Sequence, residues 1–224
     1  MKKLHELDEE KDLNSNFFRR IAYDEIFAHL LVLSNNRVKI RKNKKKSKSF
    51  TEKPFLEIIN SLNFKLTKSQ LKVIKEINND LVSKNRMFRI IQGDVGSGKT
   101  IVSLISAANV INSGYQCALM APTEILVNQH YNLAKKILVN NKIKISMITG
   151  KTSHKDKKKI FEKLEKKEID LIIGTHALFQ KNIKFNNLGL IIIDEQHKFG
   201  VNQRMKLAKK GGSNCDVLLM SATP

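Results

Sequence analysis

A short apolar run at residues 87–91 leads straight into Gly93-Asp94-Val95-Gly96-Ser97-Gly98-Lys99-Thr100, and this junction restricts the fold more than any other stretch. The run reads as a strand, the glycines as a tight turn, and the residues from Lys99 to about 112 as a helix. Gly93, Gly98, Lys99 and Thr100 take the fixed places of the pattern G-x-x-x-x-G-K-[ST]. The chemistry explains the residue types. Glycines let successive backbone N–H groups curl round a phosphate with no Cβ in the way, and the helix N-terminus adds its positive end. Lys99 supplies a point charge for the β- and γ-phosphates, and the Thr100 hydroxyl can ligate Mg²⁺. Asp94, Val95, Gly96 and Ser97 complete the loop, so the expected cofactors are ATP and Mg²⁺.

From about residue 54 the chain alternates between helical periods and short apolar runs. Helices are expected over 54–62, 67–82, 99–112, 123–140, 153–167 and 203–208. Strands are expected at 87–91, 116–120, 144–148, 170–173, 190–193 and 216–220. Continuously apolar strands separated by helices predict an α/β fold, with a mainly parallel sheet covered by helices on both faces. Ligands in such sheets bind outside the carboxyl ends of the strands, which directs attention to the loops that leave them.

Those loops carry chemistry. Asp194-Glu195-Gln196-His197 follows the strand at 190–193. An acid at the end of a buried strand is costly unless it meets a cation. With the phosphate loop in the same chain, Asp194 can hold the Mg²⁺ shell and Glu195 can orient or deprotonate an attacking water. Alone, the tetrapeptide would be a weak signal. Thr123-Glu124 and Thr175-His176 each place a threonine at the start of a helix, where it can be an N-cap or part of a grip on a nucleic-acid phosphate. Gly150-Lys151 can join that grip, while His176 on its own favours a structural hydrogen bond. Thr67-x-x-Gln70 is a capping box from spacing alone, although an amide also pairs with the N6 and N7 edge of adenine.

Ahead of this domain, residues 1–15 are polar and expected to fray, and residues 16–36 hold Phe17, Ile21, Ile26, Leu30 and Leu33 at helical spacing. Residues 37–53 contain nine Lys or Arg against the single acid Glu52, with no apolar period. They read as a basic flexible link, either a solvated tether or a contact to a DNA backbone. The formal net charge of +20 points to a polyanion partner, although a lysine-rich drift across a proteome fits it as well. Cys117 and Cys215 have no metal-like spacing, and no apolar run approaches membrane-spanning length, so a reduced cytoplasmic setting is expected.

Taken together, LTKSQ, IIQGDVGSGKT, MAPTEILVNQHY, IIGTHALFQ, LGLIIIDEQHKFGVNQR and SATP resemble a superfamily 2 helicase motor. With RRIAYDEIFAHLLVL near the start, the match is close to the RecG family of branched-DNA helicases. The resemblance implies a RecA-like motor domain over 54–224, with Gln70 reading adenine and Thr123, Glu124, Thr175 and His176 near a DNA track. It also implies that His197, Ser221 and Thr223 couple hydrolysis to domain movement. The related motor of the transcription-repair coupling factor is the nearest rival, and a non-catalytic nucleotide- and DNA-binding remnant is an alternative of another class. A P-loop kinase or transporter ATPase would not need the helicase-type loops after residues 120 and 173. Members of the family carry a wedge domain before this region and a second motor domain after it. The expectation is therefore an internal piece of such a helicase, acting on branched or forked DNA and served by a separately encoded second motor domain.

Overall fold

The computed structural model describes residues 20, 23, 24, 27, 44–49, 51–138, 142–180, 182–195 and 210–222. Of the unit Met1–Asn43, the described residues are helical and show an exposed Arg20–Asp24 pair and stacked Tyr23 and Phe27 rings. The rest of the expected helix at 16–36, with residues 1–15, 37–43 and the expected helix at 203–208, lies outside the described residues.

Among the described residues, the unit Lys44–Pro224 contains six strands: β1 (Phe88–Gln92), β2 (Gln116–Met120), β3 (Ile145–Ile148), β4 (Leu171–Gly174), β5 (Leu188–Ile193) and β6 (Asp216–Ser221). They form one sheet in the order β1-β6-β5-β2-β4-β3, with every pairing parallel. The helices are α1 (Glu52–Ser61), α2 (Lys68–Val82), α3 (Lys99–Asn112), α4 (Glu124–Leu138) and α5 (His154–Glu165). A 3₁₀ turn, His176–Phe179, occupies the stretch between β4 and β5.

Strand order and helix placement follow from the right-handed crossover rule. The chain steps from β1 to β2 to β3 in one direction across the sheet, so α3 and α4 share a face; it then steps back from β3 to β4, which sends α5 to the other. Alternate strand residues divide accordingly. Ile91, Leu119, Ile173, Ile192 and Leu218 pack with Ile58 of α1, Ile77 of α2, Leu104 of α3 and Ile137 of α4. Met120, Ile148, Ile172, Ile191 and Val217 pack with Leu164 of α5. With both faces covered, β2, β4, β5 and β6 are buried at every position, as their unbroken apolar runs require.

The basic run differs from its sequence reading where it is described. Residues 44–49 lie against the amino ends of the strands, and Lys45 and Lys48 are buried with their ammonium groups fully enclosed. Lys45 Nζ donates to both carboxylate oxygens of Asp216 at 2.7 and 2.6 Å, and Lys48 Nζ donates to Asp216 Oδ2 at 2.6 Å. Each ammonium also reaches a carbonyl, Asp80 O for Lys45 and Asn214 O for Lys48, while Lys48 lies 5.0 Å from the centre of the Tyr115 ring. A solvated tether does not describe these residues: a buried carboxylate at the first position of β6 requires cations, and these two lysines supply them.

Candidate nucleotide and nucleic-acid site

The phosphate loop links β1 to α3. Its conformation depends on Gly98, at φ +85°, which stands at the N-cap of α3 with no side-chain cap on the first turn. The left-handed backbone there favours glycine, and a Cβ would also press on Gln70 Nε2 and displace its amide. Gly96 is also left-handed at φ +83°, Val95 at the loop apex is 89% exposed, and Ser97 N donates to Asp94 O at 3.1 Å. Lys99 Nζ donates to the carbonyls of Gly93 at 2.6 Å and Asp94 at 2.8 Å, which holds the cation inside the curl of the loop. The uncapped first-turn amides, with Thr100 among them, and this cation fit a polyphosphate.

The capping-box reading of Gln70 holds, and its amide makes a third contact. Its backbone N–H donates to Thr67 Oγ1 and its Oε1 accepts from Thr67 N, which completes the capping box of α2. Its Nε2 then donates to Ser97 O at 3.0 Å, joining the helix to the phosphate loop.

β6 lies between β1 and β5, so Ser221 stands between the phosphate loop and the acidic loop. Gly93 N donates to Ser221 O at 3.4 Å, and Ser221 is buried. Asp194 follows β5 with its N–H on Met120 O, and it is 8% exposed. Its Oδ2 lies 2.7 Å from His130 Nε2 and its Oδ1 accepts the N–H of Glu195. Glu195 turns the chain sharply at φ +48°, in the left-handed region that a glutamate rarely adopts. Each oxygen of Asp194 keeps a lone pair, so the carboxylate and the Thr100 hydroxyl suit a hard cation that takes its other ligands from phosphate and water.

The loops at the other half of the carboxyl edge sort into exposed and buried groups. Thr123 is exposed and accepts from Leu126 N at 3.3 Å, as an N-cap should. Glu124 turns to the neighbouring loop instead of outwards. Its Oε1 accepts from Lys151 N at 3.2 Å, its Oε2 pairs with Lys151 Nζ at 3.3 Å, and it lies close against Gly150. Burial pushes this carboxyl up, but the Lys151 N–H, the Lys151 ammonium and the Thr149 hydroxyl outweigh it and hold the pKa below its ordinary value. Gly150, Lys151 and His176 are exposed. Thr175 is not: it is 2% exposed, caps no helix, and its Oγ1 has no hydrogen-bond partner among the described residues. The N-cap reading therefore holds for Thr123 and fails for Thr175.

Comparison with known proteins accounts for this set of loops. Residues 67–224 match the DEAD/DEAH box helicase family. The chain belongs to that family. Among curated relatives, the ATP-dependent DNA helicase RecG of Aquifex aeolicus is 41% identical over 99% of this chain and 29% of its own length. RecG of Thermotoga maritima is 44% identical over 92% of this chain and 26% of its own length. A solved structure of RecG bound to a three-way DNA junction superposes with a TM-score of 0.82 and 40% identity, covering 92% of this chain and 27% of that one. The chain is a RecG-like helicase domain, and it spans between a quarter and a third of the length of these relatives.

The helicase domain thus brings together Gln70, the phosphate loop, Asp194, Glu195 and Ser221 at one end of three adjacent strands, and groups Thr123, Glu124, Gly150 and Lys151 in a second cluster. His197 and Thr223 lie outside the described residues. His130 is the residue that sequence reasoning missed. Its signal was available: Val127, Ala134, Ile137 and Leu138 mark the buried face of α4, and His130 is the one buried polar residue on it. Among the described residues no helix is long and apolar enough to cross a membrane.

Proposed function

We propose that this chain is the ATP-binding half of a cytoplasmic DNA motor of the RecG kind, working on branched or forked DNA. The supporting observation is the convergence of the phosphate loop, Ser221 and Asp194–Glu195 on the carboxyl ends of β1, β6 and β5. In this reading the loop amides and Lys99 hold the β- and γ-phosphates of ATP, and Thr100 and Asp194 hold Mg²⁺, which supplies charge neutralisation at the phosphates. His130 orients Asp194 through the 2.7 Å contact to its Oδ2. Glu195 positions a water and takes its proton. Gln70 lies on the adenine side. Ser221, with His197 and Thr223, passes the state of the phosphate site to the rest of the motor. Thr123, Gly150, Lys151 and His176 face the DNA backbone, with Glu124 and Thr175 shaping their loops.

Full turnover in this reading needs a second motor domain. Charge that develops on the γ-phosphoryl group calls for an opposing arginine, worth on the order of 10³ to 10⁵ in rate, or about 4 to 7 kcal/mol of barrier. Arg86 is engaged by the carbonyl of Cys215, and Arg89 by Asp80 and Glu76 at 2.7 and 2.8 Å. Two measurements test the proposal. A fluorescent ATP analogue should bind the wild type and Glu195→Gln but not Lys99→Ala; equal binding by the Lys99 variant would sink the assignment. Phosphate release on a forked duplex should be slow for this chain and rise by at least about a hundredfold when a RecG second motor domain is added in trans. Brisk turnover by the 224-residue chain alone would show the half-motor reading to be wrong.

A further inference from the structure

Beside the carboxyl-edge loops lies an open basin of about 410 Å³ that none of the roles given so far uses. One wall is the first two turns of α5, where His154, Lys157, Lys158 and Phe161 recur at the i, i+3, i+4, i+7 spacing of a single helix face. The other wall is Gln180 and Asn182, from the segment that follows the 3₁₀ turn. Three features of this lining belong together chemically. Two ammonium groups and an imidazole stand at one side with no carboxylate among the described lining residues. Phe161 is half-buried on the second core cluster, so it presents part of its ring without being free to move away. The exposed amides of Gln180 and Asn182 offer both donors and acceptors.

The far wall is braced. Lys210 Nζ donates to Gln180 O at 2.5 Å and Ile183 O at 2.9 Å, and Asn186 Nδ2 donates to Glu165 O at 3.1 Å. Burial lowers the pKa of Lys210, yet it is spent on these carbonyls and not on the basin. The basin also adjoins both DNA-side loops: Lys157 Nζ donates to Gly150 O at 3.3 Å, and the opposite wall begins directly after His176–Phe179.

We propose that this basin binds one unpaired nucleotide of a DNA strand, with Lys157 and Lys158 on its phosphate, Phe161 against its base and the two amides at the base edge. Cations for the backbone beside an aromatic platform for the base form the common design of single-strand sites. Unpaired DNA is specified because a base still stacked in a duplex has no face to offer Phe161. The proposal rests on the DNA-binding reading above, and the experiment separates the two.

The test is fluorescence anisotropy of the full chain with three labelled probes of equal length: a single strand, a single strand built of abasic sites, and a duplex. Gln180→Ala/Asn182→Ala and Phe161→Leu should each weaken the ordinary single strand, Phe161→Leu on the order of tenfold, while leaving the abasic strand and the duplex unchanged. Lys157→Gln/Lys158→Gln should weaken both single strands and reduce the slope of log affinity against log salt by about 0.7 for each phosphate no longer neutralised. Lys159→Gln/Lys163→Gln removes the same charge from another face of α5 and should not change the slope as much. The amide variant alters exposed side chains only, so its result stands if Phe161→Leu fails to fold. Equal losses on all three probes, or equal losses from the control pair, would overturn the nucleotide site and leave a general basic surface. Failure of the wild type to bind any probe would overturn the DNA reading itself, and the basin proposal with it.

Discussion

Asp194 and Asp216 occupy opposite ends of neighbouring strands, and their surroundings differ in a way that separates chemistry from architecture. Asp216, at the amino end of β6, is closed in: both its oxygens are taken by Lys45, Lys48 and the N–H of Met87, and each lysine donates its remaining bonds to carbonyls. Two cations face one carboxylate there, and burial lowers the pKa of Lys45 against the pull of Asp216. Asp194, past the carboxyl end of β5, has one side-chain partner, His130, and one backbone donor, with coordination capacity to spare. Buried acids at strand ends thus have two uses. One ties the segment before α1 to the base of the sheet, and the other, in the proposed reading, keeps a hard ligand available for the metal of the nucleotide site.

The largest expected effect tests the closed end. Asp216→Ala leaves two buried ammonium groups without their counter-charge, and removing one partner of a buried ionic cluster costs about 3 to 5 kcal/mol. Against a typical total of roughly 5 to 15 kcal/mol, that should appear as a large fall in the urea midpoint. The triple variant Asp216→Leu/Lys45→Met/Lys48→Met should recover much of the loss, because an apolar cluster of similar volume no longer buries charge. No recovery would mean that the lysines do more than neutralise Asp216.

A smaller effect tests the open end. Asp194→Asn keeps the shape and the bond from Glu195 N–H. It keeps the His130 contact with the direction reversed once the imidazole carries its proton on Nδ1, so the urea midpoint should move by the equivalent of about 1 kcal/mol or less. The Mg²⁺-dependent part of nucleotide affinity should nevertheless disappear. His130→Ala should cost about 1 to 2 kcal/mol, since it strips one partner from a buried carboxylate. A result in which Asp194→Asn destabilises as strongly as Asp216→Ala would erase the distinction between the two ends.

The same contrast shows what the sequence could reveal. Strands β2, β4, β5 and β6 and the phosphate loop were legible because burial on both faces demands continuous apolar runs, and a glycine turn demands glycines. The edge strands β1 and β3 were legible too, carrying apolar runs of the same kind though they are only partly buried. The lysine strap was not, because Lys45 and Lys48 sit in an unpatterned basic run and meet their partner across 171 and 168 residues. A hint existed: Asp216 opens a buried strand as Asp194 closes one, and the demand for a cation applied to the first applies to the second. Thr175 shows the limit of motif reasoning. Its place at the start of a turn predicts an N-cap, but its side chain caps nothing, and its N–H on Ile148 O draws the short 3₁₀ turn against β3 and buries it.

The smallest effect concerns the cluster of Thr123, Glu124, Gly150 and Lys151, proposed to face DNA, where the comparison of open and closed acids recurs on a finer scale. Glu124 is a carboxylate among groups expected to face phosphate, which would repel it; its bonds to the Lys151 N–H and ammonium explain its presence as a positioning residue for that loop. Its folded pKa lies below the ordinary value, so the fold disfavours its proton. The tie between α4 and the loop is therefore complete above the ordinary carboxylate range, and it is lost as pH falls through the lower, folded value. Observed by NMR, the Lys151 amide should titrate with a midpoint below that of a peptide glutamate, and Glu124→Gln should remove the transition. The carboxyl lies at the surface, only partly covered, so the melting temperature should hardly move. DNA affinity should fall a few-fold, with a salt slope unchanged because no phosphate-contacting cation has been removed. A Glu124→Gln variant that binds DNA more tightly, with a steeper slope, would mean that the carboxylate only restrains Lys151 and does not place it.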